Sequence, residues 1–140
     1  MKAFSTSRFI PVTPVAIFES FRDPAKLAKW WGPAGFTNTF HLFQFAPGGR
    51  WSFIMHGPDG RDYPNENEFV EMVEPSQVVI RHLSEPRFVL TVNIKPSGSG
   101  ALVEWEQVLE SEEIASHIAH IIEPANEQNL DRLTVVACAS

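Results

Sequence analysis

The sequence predicts an α+β domain in which a curved antiparallel sheet of six to seven strands wraps around one long C-terminal helix. Three observations carry this. Turn-forming clusters recur between residues 36 and 109, at Pro47-Gly48-Gly49, Pro58-Asp59-Gly60, Glu74-Pro75-Ser76, Ser84-Glu85-Pro86 and Ser97-Gly98-Ser99-Gly100. The segments between them have strand length and are rich in Phe, Val, Ile and Trp. The last quarter then changes period, with Ile114, Ile118, Ile121, Ile122, Ala125, Leu130, Leu133 and Ala137 at helical spacing. Connections this short make neighbouring strands antiparallel, because a parallel pair needs a long crossover.

The elements follow in order. Phe4 to Val12 reads as a first strand that stops at a proline-rich step. Pro14 opens a short helix with Val15, Ile17, Phe18 and Phe21 as its apolar positions. Asp23-Pro24 restarts the helix, since Asp is a good N-cap and Pro is tolerated in the first turn. Leu27, Trp30 and Trp31 continue it, and Gly32-Pro33 ends it. Six strands follow. Ser111 with Glu112 and Glu113 then forms an N-cap with an acidic first turn. Pro124 predicts a break: a short helix to about Ile122 and a main helix from Pro124 to Ala137. No linker or repeat interrupts the chain, so residues 1–140 are expected to form a single domain with a real core.

Composition narrows the function. Eleven Phe and four Trp stand against a single Tyr. Phe has no polar handle, so this bias predicts a wide, dry interior. Acidic residues outnumber basic ones, the net charge is −6, and no basic run occurs. Nucleic acid and anionic membrane surfaces are therefore not expected partners, since phosphate binding rests on clustered cations. No apolar run reaches the roughly 18–20 residues of a membrane span, and the N-terminal segment lacks the features of a secretory signal. The lone Cys138 cannot form an internal disulfide. A cytoplasmic protein is the expectation.

Alternation along the strands sorts the faces. Val103, Trp105, Gln107 and Leu109 share one side, opposite Glu104 and Glu106, so Trp105 and Gln107 point inward. Phe88, Leu90, Val92 and Ile94 form an apolar row, and Val78, Ile80, His82 and Ser84 alternate with Arg81, which puts His82 inside. Trp51, Phe53 and Met55 also face inward, joined by Phe43 and Phe45 with His41 on the same side. Glu66, Glu68 and Glu71 do not fall on one side of any regular strand, which leaves residues 64–73 without an assigned face.

These residues resemble a known family. Asp23-Pro24, Leu27, Trp30-Trp31-Gly32-Pro33 and Gly35-Phe36 look like the SRPBCC (START-like) superfamily, and more narrowly the branch named after the activator of the heat-shock protein ninety ATPase. Pro47-Gly48-Gly49-Arg50-Trp51, Met55-His56-Gly57-Pro58-Asp59-Gly60, His82-Leu83-Ser84 and Asn126-Glu127-Gln128-Asn129-Leu130 follow in the order of that branch. The resemblance implies the helix-grip fold, shared with START domains and the birch-pollen allergen, with a deep hydrophobic cavity between sheet and C-terminal helix. Its members include lipid and hormone carriers, polyketide cyclase-like enzymes and stress-response proteins.

The expected ligand contacts are Trp30, Trp31, Phe43, Phe45, Trp51, Phe53, Met55, His82, Phe88, Trp105, Gln107, Asn126, Leu130 and Leu133. Large apolar walls with a few convergent polar groups are the usual make-up of a small-molecule site. His82 is the candidate acid–base residue, set against a core histidine satisfied by a backbone carbonyl or by Ser84. Gln107 could orient a ligand carbonyl or bond Asn126 or Asn129 across the interior. His117 and His120 lack further ligands, so no metal is expected, and no phosphate loop, dinucleotide fingerprint or nucleophile elbow implies a cofactor or acyl-transfer machinery. The leading expectation is a protein that binds a small apolar or aromatic molecule. A cyclase- or hydrolase-type enzyme using the same cavity is the alternative, and a chaperone-associated interaction protein in stress response the third. An exposed sheet edge would permit a homodimer.

Overall fold

The computed structural model describes residues 2–139; residues 1 and 140 of the expected domain lie outside the described residues. Strand β1 (Lys2–Ile10) ends just before Thr13, whose hydroxyl accepts the Ala16 amide and caps α1 (Pro14–Arg22). Asp23 closes α1 and caps α2 (Pro24–Trp30), its carboxylate accepting the Ala25 amide at 2.9 Å. Six further strands follow as β2 (Thr37–Phe43), β3 (Arg50–His56), β4 (Asp62–Val73), β5 (Gln77–His82), β6 (Phe88–Ser97) and β7 (Gly100–Leu109). They form one antiparallel sheet in the order β1-β7-β6-β5-β4-β3-β2. The first strand starts and ends about two residues earlier than its apolar pattern predicts. Its pairing with β7, from Lys2 opposite Leu109 to Ile10 opposite Ala101, sets those limits.

Two bulges decide the faces that alternation alone left wrong or open. Between Phe40 and Leu42 the β2–β3 register slips by one residue, so Phe40 and Phe43 both turn inward. His41, expected inside, is the extra residue and is exposed. A second slip between Phe69 and Glu71 takes up Val70. Glu66, Glu68 and Glu71 then lie on the outer face, while Asn67, Phe69 and Met72 point into the interior.

Helix α3 (Glu112–Cys138) runs unbroken through Pro124, against the expected break near Ile122. A proline inside a helix costs roughly 3 kcal/mol. Both flanks are held by packing that outweighs this loss. Upstream, Ala115 and Ile122 join Phe4 and Leu109 in a small cluster. Downstream, Leu130, Leu133 and Ala137 enter the main core. That core fills the concave side of the sheet with rings: Trp51 stacks on Phe53 at 4.5 Å and lies parallel to Phe69, and Phe43 and Phe45 meet Phe69 edge-on.

Candidate functional site

The segment after α2 is held down by side chains of α3. Arg132 donates from Nη1 to the carbonyls of Gly32 (2.8 Å) and Pro33 (2.9 Å), and from Nη2 to those of Lys29 and Phe36 (both 2.8 Å). Asn129 Nδ2 donates to the Trp30 carbonyl at 2.9 Å, and Gln128 Oε1 accepts the Ala34 amide. A helix C-terminus leaves carbonyls without partners, and here a guanidinium fork with several parallel donors gathers them. The Trp30-Trp31-Gly32-Pro33 segment is thereby fixed as a rigid rim. Gly32 sits at φ 101°, which favours glycine, and an added Cβ would also press on Met55.

Below this rim, between the sheet and the middle of α3, lies a cavity of about 200 Å³. Trp31, Met55, Phe88, Ile121 and Ile122 supply most of its apolar wall, and Asn65, His82, Gln107, Asn126 and Asn129 its polar atoms. The strand residues come from one end of the sheet: the end of β3 and β5, the start of β4 and β6, and β7 near its end. Antiparallel pairing brings these positions together although they are far apart in sequence.

His82 is buried, with its ring stacked on Phe88 at 4.6 Å between centroids. Its Nδ1 lies 2.7 Å from Asn67 Oδ1. A carbonyl oxygen only accepts, so Nδ1 carries the proton and Nε2 is left a bare acceptor. Burial pushes the imidazole down to about 4, because the charged form would lose its hydration. At neutral pH the ring is uncharged. Ser84, the expected partner, is engaged elsewhere and accepts the Glu66 amide.

Gln107 is buried on the same cavity wall, and its Oε1 has no hydrogen-bond partner. It bonds neither Asn126 nor Asn129 among the described residues; Asn129 turns instead to Trp30. The Asn67 Nδ2 is likewise buried and unpartnered. Buried amides left in this state cost about 1–3 kcal/mol each.

Of the residues expected to touch a ligand, Trp31, Met55, His82, Phe88, Gln107 and Asn126 line this cavity. Trp30, Phe43, Phe45, Trp51, Phe53, Trp105, Leu130 and Leu133 pack into the main core. Trp30 is wholly enclosed and donates from Nε1 to the Ser20 carbonyl at 2.8 Å. Sequence reasoning missed Asn67, Arg132 and the helix residues Ile121 and Ile122. Asn67 was legible only by allowing one bulge residue at Val70, which brings Glu71 to the face of Glu66 and Glu68 and so marks the Asn67 side as the inner one. Arg132 carried no local signal, because its partners lie about 100 residues away.

One other constellation has the connectivity of a catalytic triad: Thr39 Oγ1 lies 2.7 Å from His56 Nε2, and His56 Nδ1 lies 2.7 Å from Asp62 Oδ1. It sits on the outer face of β2, β3 and β4, with Thr39 and Asp62 exposed. The backbone amides there belong to the sheet ladder, so no donors are aimed at a developing oxyanion. It is a cross-strand polar ladder.

The curved sheet and its grip helix define a helix-grip domain of the SRPBCC type. Residues 11–137 match the family described as Activator of Hsp90 ATPase homolog 1-like protein, and the chain belongs to that family. Solved structures with the same fold include a protein from Arthrobacter aurescens, 21% identical with a TM-score of 0.90, covering 99% of this chain and 87% of that one. A protein from Chromobacterium violaceum is 19% identical with a TM-score of 0.85 and 97% coverage of both chains. The AHSA1 protein from Silicibacter pomeroyi is 22% identical with a TM-score of 0.77 and 96% coverage of both. At these identities the likeness is one of fold. No curated protein matches the sequence. No helix among the described residues is long and apolar enough to cross a membrane.

Proposed function

We propose that this protein is a cytoplasmic small-molecule binding protein that takes its ligand into the cavity beneath the Trp31–Pro33 rim. The observation that carries the reading is the Gln107 amide: enclosed on an apolar cavity wall, with an oxygen that no protein group satisfies. A protein retains such a group at a cost in stability, and a ligand that pairs with it recovers that cost. The neutral His82 supports binding over acid–base catalysis. With its conjugate acid near 4, on the order of one molecule in a thousand is protonated at pH 7, so it is a poor proton donor there.

Native mass spectrometry of the purified protein, followed by denaturing extraction, tests the reading. A discrete non-covalent mass is the expected result. A clean apo mass, together with failure of small aromatic probes to raise the melting temperature, would overturn it. If an extracted compound is turned over, His82→Ala separates the roles: a binder keeps most of its affinity, whereas a catalyst loses turnover and keeps its ligand.

A further inference from the structure

The chemistry of the cavity wall goes further than its existence. Among the thirteen residues that line it there is no Asp, Glu, Lys or Arg, and its only titratable group, His82, is held neutral. A charged ligand would give up its hydration there with no counter-charge to meet it, a cost of several kcal/mol or more. The polar groups present are amides and one imidazole. His82 presents a bare Nε2 acceptor, and Gln107 Oε1 is a second acceptor without a donor. The side chain of Asn126 makes no hydrogen bond to any described residue, and the Oδ1 of Asn129 accepts none. Two acceptors on this wall, His82 Nε2 and Gln107 Oε1, thus lack a donor.

Size sets a second limit. A cavity of about 150 Å³ lined by apolar side chains holds benzene. The present one, at about 200 Å³, has space for a single ring with a short substituent, about eight to ten non-hydrogen atoms. The flat Trp31 and Phe88 rings and the Met55 thioether on its wall suit an aromatic face.

From wall chemistry and volume together we infer that the ligand is a neutral single-ring aromatic compound carrying an O–H or N–H donor, which pairs with His82 Nε2 and the Gln107 amide. This inference rests on the binding reading above and specifies it. Carboxylates are disfavoured by charge, and a long-chain lipid would leave most of its length outside a pocket of this volume.

Probes of matched size test it by calorimetric titration of the whole protein at neutral pH. α-Methylbenzyl alcohol and acetophenone differ by the presence of a donor; benzamide and benzoate differ by charge; cumene has the same shape and no polar atom. The alcohol should bind about tenfold more tightly than the ketone, and benzamide more tightly than benzoate by at least as much, because a site with unpaired acceptors rejects analogues that lack the donor. Gln107→Leu should shrink the alcohol-to-ketone ratio several-fold while cumene binds as well or better. Equal affinity for ketone and alcohol, or binding of benzoate in preference to benzamide, would overturn the donor inference while leaving the binding reading intact. Failure of all five probes would overturn the inference, and together with a clean apo mass the binding reading as well. The wild-type series decides the matter even if the variant does not fold.

Discussion

The interior of this protein has two ends that solve the same problem in opposite ways. Toward β2 and the second half of β4, the concave face is filled by Phe40, Phe43, Phe45, Trp51 and Phe69, stacked or edge-on at centroid distances of 5.0–6.0 Å. Toward the rim at Trp31, the same concave face carries His82, Asn67 and Gln107, meets Asn126 and Asn129 of α3, and leaves a cavity. One end is close-packed, with the Trp51 indole N–H as a buried polar atom without a partner. The other holds polar groups that its own fold does not satisfy. Packing that leaves space and unpaired amides lowers stability, so the contrast separates the part of the interior that holds the fold from the part available for function.

The largest test of this contrast is at the filled end. Trp51→Ala removes an enclosed indole from a stack of rings and should cost about 3–5 kcal/mol in urea unfolding. A loss below about 1 kcal/mol would mean that this end also tolerates space and that the two ends do not differ.

Acid probes the other end. Unfolded, His82 takes up its proton near its ordinary value of 6.5; folded, it does so only near 4. Between these values the unfolded state binds more protons, so stability falls as pH drops from 6.5 to 4 and levels off below. The contribution is on the order of 3 kcal/mol. Urea unfolding of the wild type across this window should show a steeper acid loss than His82→Gln. Parallel profiles would show that His82 keeps its proton in the fold.

The smallest effect has the opposite sign. Gln107→Leu replaces an unpartnered buried amide by an apolar group of similar size and should raise stability by about 1 kcal/mol, read as a higher midpoint in urea. Destabilisation instead would mean that Gln107 serves the fold, and the division between the two ends would blur.

Much of the architecture was legible from local chemistry. Thr13, Asp23 and Ser111 cap the three helices through their own side-chain oxygens, which is a property of a few adjacent residues. The turn clusters divide the meander, and the inward rows of β5, β6 and β7 follow plain alternation to Val78, Leu90 and Val103. Alternation failed only where one extra residue entered a strand, at His41 and Val70, because a period of two cannot survive an insertion. Pro124 misled for a different reason: a local rule about prolines says nothing of what the flanking turns bury.

Of the site, the sequence alone determined the ingredients: aromatic walls, His82 and Gln107 facing inward, and a rim rich in Trp, Gly and Pro. Only the tertiary structure decided which aromatics fill space and which border it. It also chose Asn67 as the partner of His82, tied the rim to Arg132, and left Gln107 without a partner. Side-chain direction follows from the strand period, which is local. Whether a cavity remains depends on how helix and sheet meet across about 100 residues of chain, and no local pattern encodes that distance.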